Sequence, residues 1–362
     1  MKPNYQLNTG ENRSFLAELR QNLLNFGRRF PSPGGSSYYL GDDGTPWPDR
    51  GRETWITSRM AHVYSIGTLL GDAQAAPLAD AALKGLRGEL HDGAHGGWYA
   101  GLNADGSVMP TKQCYAHAFV MLAASSALLA GRPEARELLD DALSVYDLRF
   151  WDEEEGLSRD TWDTDFTALD HYRGLNANMH SVEAFLAVAD ATGDETYRRR
   201  AGRIIDRVLG WARERGWRIP EHFSSHWVPQ PELNRERPDD PFKPYGATPG
   251  HGIEWARLIT QWALSSSREL AAPYVEAAEN LYITAVGDAW SADGAPGLVY
   301  TTDWTGKPVV HDRMHWTLAE AVNTAAVLYR VTGEERYAAD YAEFMKYLDE
   351  TVLDHENGSW FH

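Results

Sequence analysis

The sequence predicts an all-α protein, an (α/α)6 barrel of six helical hairpins with short β-hairpin excursions at one end. Gly/aromatic segments recur at intervals of roughly sixty residues, which indicates a repeated supersecondary unit. Between these segments, a mostly apolar helical stretch alternates with a charged, amphipathic one, as expected for buried inner and exposed outer helices. A linear solenoid of helix pairs is the competing arrangement.

Each repeat begins with a glycine and a short extended segment that turns at Gly or Asp. The six starting glycines are Gly35, Gly97, Gly156, Gly216, Gly297 and Gly358. The interval from Gly216 to Gly297 is longer than the others because it contains residues 217–249, which are rich in proline. A connection of this length is too long for a tight turn, so we expect a lid or rim loop over a cleft.

The helices follow the repeats in order. The predicted inner helices cover residues 57–70, 115–129, 179–191, 253–265 and 315–331, and the predicted outer helices cover residues 14–29, 76–90, 133–148, 195–215, 269–285 and 334–353. The chain therefore reads as a single catalytic domain over residues 1–362, with one outer helix left without an inner partner. A complete ring would need one more inner helix.

Composition limits the possible partners. A net charge of -18 and a pI near 5.1 disfavour binding to nucleic acid or to an anionic membrane surface. Cys114 is the single cysteine, the N-terminus lacks the pattern of a signal peptide, and no apolar run approaches the roughly 20 residues that span a bilayer. We therefore expect a cytoplasmic protein, monomeric or homodimeric, with a small-molecule ligand. Aromatic residues, 12% of the chain, often stand in Gly-rich loops, which is a hint of carbohydrate binding.

The candidate chemistry lies at the starts of the inner helices. His251 and Glu254 are three residues apart where a helix follows Pro249 and Gly250, so both side chains share one face. His180 and Glu183 repeat this spacing at another helix start. If the ring closes, we expect these helix ends to converge on one cleft.

Five motifs resemble the N-acylglucosamine 2-epimerase superfamily, and within it the bacterial mannose isomerases and the related sulfoquinovose isomerase. The motifs run in order along essentially the whole chain: Trp55-x-x-x-Arg59, Lys112-Gln113-x-Tyr115-x-His117-Ala118-Phe119, Asn176-x-Asn178-Met179-His180, Pro249-Gly250-His251-x-Ile253-Glu254-Trp255 and His315-Trp316-Thr317-Leu318-Ala319-Glu320.

The resemblance implies interconversion of an aldose and a ketose, D-mannose and D-fructose or D-lyxose and D-xylulose, through a cis-enediol and without a cofactor or metal. It implies that His251 transfers the proton together with a second histidine near the C-terminus of the family's proteins, and that His180, Arg59 and Glu254 complete the catalytic core. The position of that second histidine lies in a segment that these 362 residues do not contain, and His362 is not its counterpart. Sugar contacts are implied for Trp55, Tyr115, Asn176, Trp316 and Glu320.

The residue types fit this chemistry. A base with a pKa near neutrality is needed to move a hydrogen between C2 and C1 of an open-chain sugar, and histidine supplies one. A fixed guanidinium such as Arg59 stabilises the enediolate. Glu254 would take a hydroxyl proton during ring opening or orient His251. In contrast, we interpret His117 and His311 as structural, and Asn176 and Asn178 are equally well explained as helix caps.

Four alternatives stay open. The nearest is a sugar 2-epimerase. Inverting glycosidases also use (α/α)6 barrels, and Asp160, Asp163, Asp165 and Asp170 would be the candidate carboxylates. A metal site would use His180/Glu183 and His251/Glu254, with His311 and His315 at i,i+4 as further ligands. The fourth is a sugar-binding protein without activity.

Overall fold

The computed structural model describes residues 4–265 and 267–361, so His362 lies outside the described part. Two compact units are distinguished within the chain. The N-unit comprises residues 22–204, and the C-unit comprises residues 1–21 and 205–362.

The described residues form mostly helices. These are α1 Gly10–Gly27, α2 Thr54–Leu69, α3 Ala75–Arg87, α4 Cys114–Leu129, α5 Ala135–Arg149, α6 Leu175–Thr192, α7 Glu195–Glu214, α8 Pro249–Ala263, α9 Arg268–Ala289, α10 His315–Thr332 and α11 Glu335–Tyr347, followed by a π-helical segment Leu348–Val352.

Fourteen short strands accompany the helices in the described residues. They are β1 Tyr39–Leu40, β2 Pro46–Trp47, β3 Arg52–Glu53, β4 Gly101–Leu102, β5 Thr111–Gln113, β6 Trp151–Asp152, β7 Leu157–Ser158, β8 Thr161–Asp163, β9 Arg173–Gly174, β10 His222–Phe223, β11 Thr301–Thr302, β12 Pro308–Val310, β13 Leu353–Asp354 and β14 Ser359–Trp360. The hairpins β1-β2, β6-β7, β11-β12 and β13-β14 are antiparallel and confirm the predicted excursions.

All eleven predicted helices are present among the described residues, and the distinction between buried and amphipathic helices is confirmed. In α4, Cys114 and every residue from Ala116 to Ala127 are buried, which explains why its sequence lacks a polar face. In α7, Ile204, Ile205, Val208 and Leu209 are buried along one stripe, opposite the charged face.

In the N-unit, α4 packs against α2, α5 and α6, and α2 also packs against α3. A buried ion pair fixes the loop before α4, since Lys112 Nζ donates to Asp92 Oδ2 at 2.7 Å and to the Gly96 carbonyl at 2.6 Å. Gly97 follows with φ +74°, and a Cβ there would lie 2.8 Å from His117 Nε2, so glycine is required at this turn. In the C-unit, α8 packs against α9 and α10, and α10 packs against α11.

Short strands fix the positions at which buried helices begin. β3 ends at Glu53 directly before α2 and pairs with β4, while β5 ends at Gln113 directly before α4 and pairs with β8. We predicted that α2, α6 and α8 begin three or four residues later than they do. Their first turns carry polar residues, which interrupt the apolar pattern from which the predictions were made. These turns hold many of the candidate site residues.

No helix in the described ranges has the length and apolar character required to cross a membrane.

Candidate active site

The candidate residues of the C-unit begin at the first turn of α8. Pro249 occupies the start of the helix, where its missing N–H costs no hydrogen bond. His251 and Glu254 therefore share a face, as predicted, and Glu254 is buried with a relative exposure of 4%. Arg257 follows one turn later on the same face and is also buried.

Arg257 joins two carboxylates. Its Nε donates to Glu320 Oε2 at 2.7 Å and its Nη2 to Glu320 Oε1 at 3.2 Å, a bidentate arrangement between α8 and α10. Nη2 also lies 3.6 Å from Glu254 Oε1. The guanidinium therefore lies between the carboxylates of Glu254 and Glu320.

His251 lies between a carboxylate and an indole. Its Nδ1 is 3.1 Å from Glu221 Oε1, and its ring centroid is 5.2 Å from that of Trp316. Burial acts to lower the pKa of His251, but the nearby carboxylates of Glu221, Glu254 and Glu320 outweigh it, and the pKa is raised. The raised pKa increases the proton affinity of this imidazole.

Trp316 closes one side of this cluster. It packs against Gly250, where a Cβ would lie 2.7 Å from Trp316 Cη2 and from Thr317 Cγ2. The Trp316 ring also meets the Tyr300 ring edge to face, with centroids 6.3 Å apart. The pKa of Tyr300 is raised to about 12, mainly by burial and further by Glu221, so the phenol stays protonated near neutral pH. An indole and a phenol beside an imidazole are suited to binding a sugar.

In the N-unit, aromatic rings hold the guanidinium of Arg59. It lies 4.3 Å from the Phe119 ring centroid and 5.5 Å from that of Trp55. Arg59 Nη2 donates to the Tyr115 hydroxyl at 3.4 Å. Trp55 Nε1 in turn donates to Glu53, which fixes the indole at the start of α2. Three of the predicted residues, Trp55, Arg59 and Tyr115, are thus brought together.

His180 belongs to the same N-unit cluster. Its ring packs against Tyr115 and Phe119, with centroids 5.1 Å and 4.7 Å away, and its Nδ1 is 3.1 Å from Glu183 Oε2. The i,i+3 spacing seen in the sequence thus produces a histidine–carboxylate contact. His62, which we did not single out, lies on α2 with its Nδ1 2.7 Å from Ser126 Oγ.

Several sequence interpretations are settled by their contacts. His117 is structural, as predicted, because its Nε2 accepts from the Trp98 N–H at 3.1 Å and burial lowers its pKa to about 3. The cap interpretation was wrong for Asn176 and Asn178, since α6 begins at Leu175 and both lie inside it. Asn176 is exposed, whereas the Asn178 amide is buried and bonds to the backbone of Ser158 and Gly174.

The structure also bears on residues named for the metal-site and glycosidase alternatives. His311 and His315 do not share a helix face, because α10 begins at His315 and His311 contacts Asp293 at 2.7 Å. The i,i+4 metal-ligand interpretation of this pair was therefore wrong. The Asp163 carboxylate accepts from the Thr167 and Ala168 N–H groups, which is a turn-stabilising role.

Sequence reasoning missed two residues of the C-unit cluster. The sequence did contain a signal for Arg257, because it is a charged residue in a mostly apolar helix, one turn after Glu254. Glu221 had no such signal, because it lies in the irregular segment after α7 and reaches His251 only through the fold.

Residues 34–362 match the family model of N-acylglucosamine 2-epimerase (GlcNAc 2-epimerase). The chain belongs to this family. This family member is 43% identical to D-mannose isomerase of Thermobifida fusca over 357 aligned residues. The alignment covers 97% of this chain and 86% of that protein. It is 45% identical over 316 residues to D-mannose isomerase of Pseudomonas cannabina pv. alisalensis, covering 85% and 75% of the two chains.

A crystal structure of D-mannose isomerase superposes with a TM-score of 0.89 at 27% identity, covering 97% of this chain and 90% of that one. The fold of this family member is therefore all-α and of the (α/α)6-barrel type, as predicted. The family is one of epimerase and isomerase enzymes.

Proposed function

We propose that this enzyme interconverts D-mannose and D-fructose, with His251 as the proton-transferring base. The observation that carries the proposal is the position of His251, with its Nδ1 beside Glu221 and its ring against Trp316. The similarity to two D-mannose isomerases at 43% and 45% identity supports the substrate.

The reaction needs one proton to move between carbons. His251 removes the proton from C2 of the open-chain aldose, the C2–H electrons form the C1=C2 bond, and the C1 carbonyl oxygen becomes the enediolate oxygen. The proton of the O2 hydroxyl then passes to the enediolate oxygen O1 as the C2 carbonyl forms, and the protonated imidazole of His251 returns a proton to C1. A positioned general base contributes about a hundredfold or more to such a step.

The other C-unit residues fit supporting roles. Trp316 offers an apolar face to the sugar carbons, and Glu320 and Glu254 offer carboxylate oxygens to its hydroxyl groups. Arg257 is shared between these two carboxylates and holds them in place. Glu254 is also suited to accept the hydroxyl proton during ring opening.

For the N-unit cluster we propose the roles that the family resemblance implies. Arg59 stabilises the enediolate, His180 completes the catalytic core, and Trp55, Tyr115 and Asn176 bind sugar. The aromatic rings around Arg59 support this, because a guanidinium held by rings needs little reorganisation when charge develops on the substrate. Asn176 is exposed and available to a ligand.

Product analysis tests the proposal. Purified enzyme is incubated with D-mannose in D2O, and the sugars are identified by NMR. Fructose as the main product, with deuterium at C1, is expected. Glucose alone would assign the enzyme as a 2-epimerase, and no conversion of mannose, lyxose or glucose would refute both assignments. Activity that is lost on chelation and restored by a divalent metal would contradict metal-independent chemistry.

A substitution tests the base. His251→Ala should reduce kcat by at least about a hundredfold, because general-base catalysis is removed. His226→Ala serves as the control, since His226 is an exposed histidine of the segment after α7. If His251→Ala keeps more than about a tenth of the activity, His251 is not the base.

A further inference from the structure

We propose that Glu221 is the positioning residue for His251: it accepts the Nδ1 proton and thereby leaves Nε2 as the nitrogen that exchanges a proton with substrate. This inference rests on the proposed function, because it assigns the tautomer of the base used there. Glu221 itself is 5% exposed and acts through the imidazole.

The first argument is the burial of the two atoms. His251 Nδ1 and Glu221 Oε1 are both buried, and neither makes a regular hydrogen bond with the described residues, 4–265 and 267–361. They lie 3.1 Å from each other. An unsatisfied buried polar group is costly, so each atom is stabilised by turning toward the other.

The second argument is that Glu221 is held firmly. It follows Ile219 and precedes β10, and Phe223 is fully buried with its ring 4.5 Å from that of Trp211. The neighbouring His222 Nε2 lies 2.8 Å from the Pro244 carbonyl, which links the two ends of the segment after α7. A carboxylate on a packed backbone orients its partner better than one on a mobile loop.

The third argument is the charge around His251. Within the C-unit, the titratable and charged groups that face it are Glu221 and His222 from the segment after α7, Glu254 and Arg257 from α8, and Glu320 from α10; Tyr300 adjoins Glu221. Arg257 is engaged by Glu320 and Glu254. Glu221 is therefore the carboxylate in direct contact with the imidazole that no cation in this group neutralises.

The test uses NMR of 15N-histidine-labelled enzyme without sugar, so it does not depend on turnover. The His251 signals are assigned with His251→Asn. We expect neutral His251 to carry its proton on Nδ1, and Glu221→Gln to lower the pKa of His251. Glu232→Gln, which changes an exposed carboxylate paired with Arg235, should leave that pKa unchanged. A proton on Nε2, or a titration unaffected by Glu221→Gln, would overturn the inference even if mannose is isomerised.

The pH dependence of catalysis should change in the direction of the pKa shift. Because the base must be neutral, a lower pKa of His251 in Glu221→Gln moves the acidic limb of the kcat/KM profile to lower pH. The maximum of kcat should fall by about a hundredfold through loss of orientation. Glu221→Asp, which keeps the charge, should restore part of the pH profile. Equal profiles for wild type and Glu221→Gln would refute the positioning role.

Discussion

Replacing Arg257 by leucine should destabilise the fold strongly. Arg257 is 6% exposed and its guanidinium bridges Glu320 and Glu254. Leucine keeps apolar contacts but leaves two carboxylates in a buried region without their cation. Removing one partner of a buried ion pair costs about 3–5 kcal/mol. An unfolding entropy of about 0.8 kcal/mol/K for a chain of this size converts that loss to a Tm decrease of about 4–6 °C.

The assay is chemical and thermal denaturation at neutral and acidic pH. In Arg257→Leu, the charges of the two carboxylates are left without their cation, so the penalty is present at neutral pH. It diminishes as the pH falls toward about 4.3, the ordinary pKa of glutamate, because protonated carboxyls carry no charge. The gap in stability between wild type and variant should therefore narrow on acidification.

Two variants make this prediction specific. Arg136→Leu removes an exposed i,i+4 pair with Asp140 and should cost less than about 0.5 kcal/mol. Adding Glu320→Leu to Arg257→Leu should recover part of the loss, because one orphaned carboxylate is removed. If Arg257→Leu costs less than about 1 kcal/mol, or if its penalty does not depend on pH, the reasoning about this buried network is wrong.

Two other predictions follow from packing. Cys114 is fully buried, and burial raises its pKa to about 12. The native thiol should therefore not react with a disulfide reagent at pH 8, whereas denatured protein should show one reactive thiol. Reaction of the native protein at the rate of the denatured protein would contradict the buried position. Gly250→Ala should lower kcat/KM for mannose by about tenfold, because the new methyl would displace Trp316 and overpacking costs about 1–3 kcal/mol. Gly287→Ala, in α9 with open space around it, is the matched control, and equal kinetics for the two variants would exclude a role for Trp316.

The helix pattern was predictable from the sequence because burial on all sides and burial on one side leave different residue periodicities. α4 and α7 show the two cases, and both were placed to within a few residues. Starts of buried helices were less predictable. The strands that precede them are only two or three residues long and pair with distant segments, as β5 does with β8.

The candidate site was predictable where its residues share a helix. The pairing of His251 with Glu254 and of His180 with Glu183 follows from spacing alone, and the resemblance implied roles for His251, Glu254 and His180. Glu221 could not be found in this way, because its relation to His251 depends on how the irregular segment between residues 221 and 251 folds. The role of Arg257 was equally hidden, since only the packing of α8 on α10 brings it to Glu320.

The segment between α7 and α8 has a consequence for engineering. A loop that contributes a residue to a candidate site is a natural target for exchange when a different sugar is wanted, and residues 217–248 form such a loop. Glu221 belongs to that stretch, so a donor loop without a carboxylate at this position would alter the basicity of His251 along with the selectivity. Designers who exchange the loop should retain residues 217–223 and vary the exposed part around Phe242.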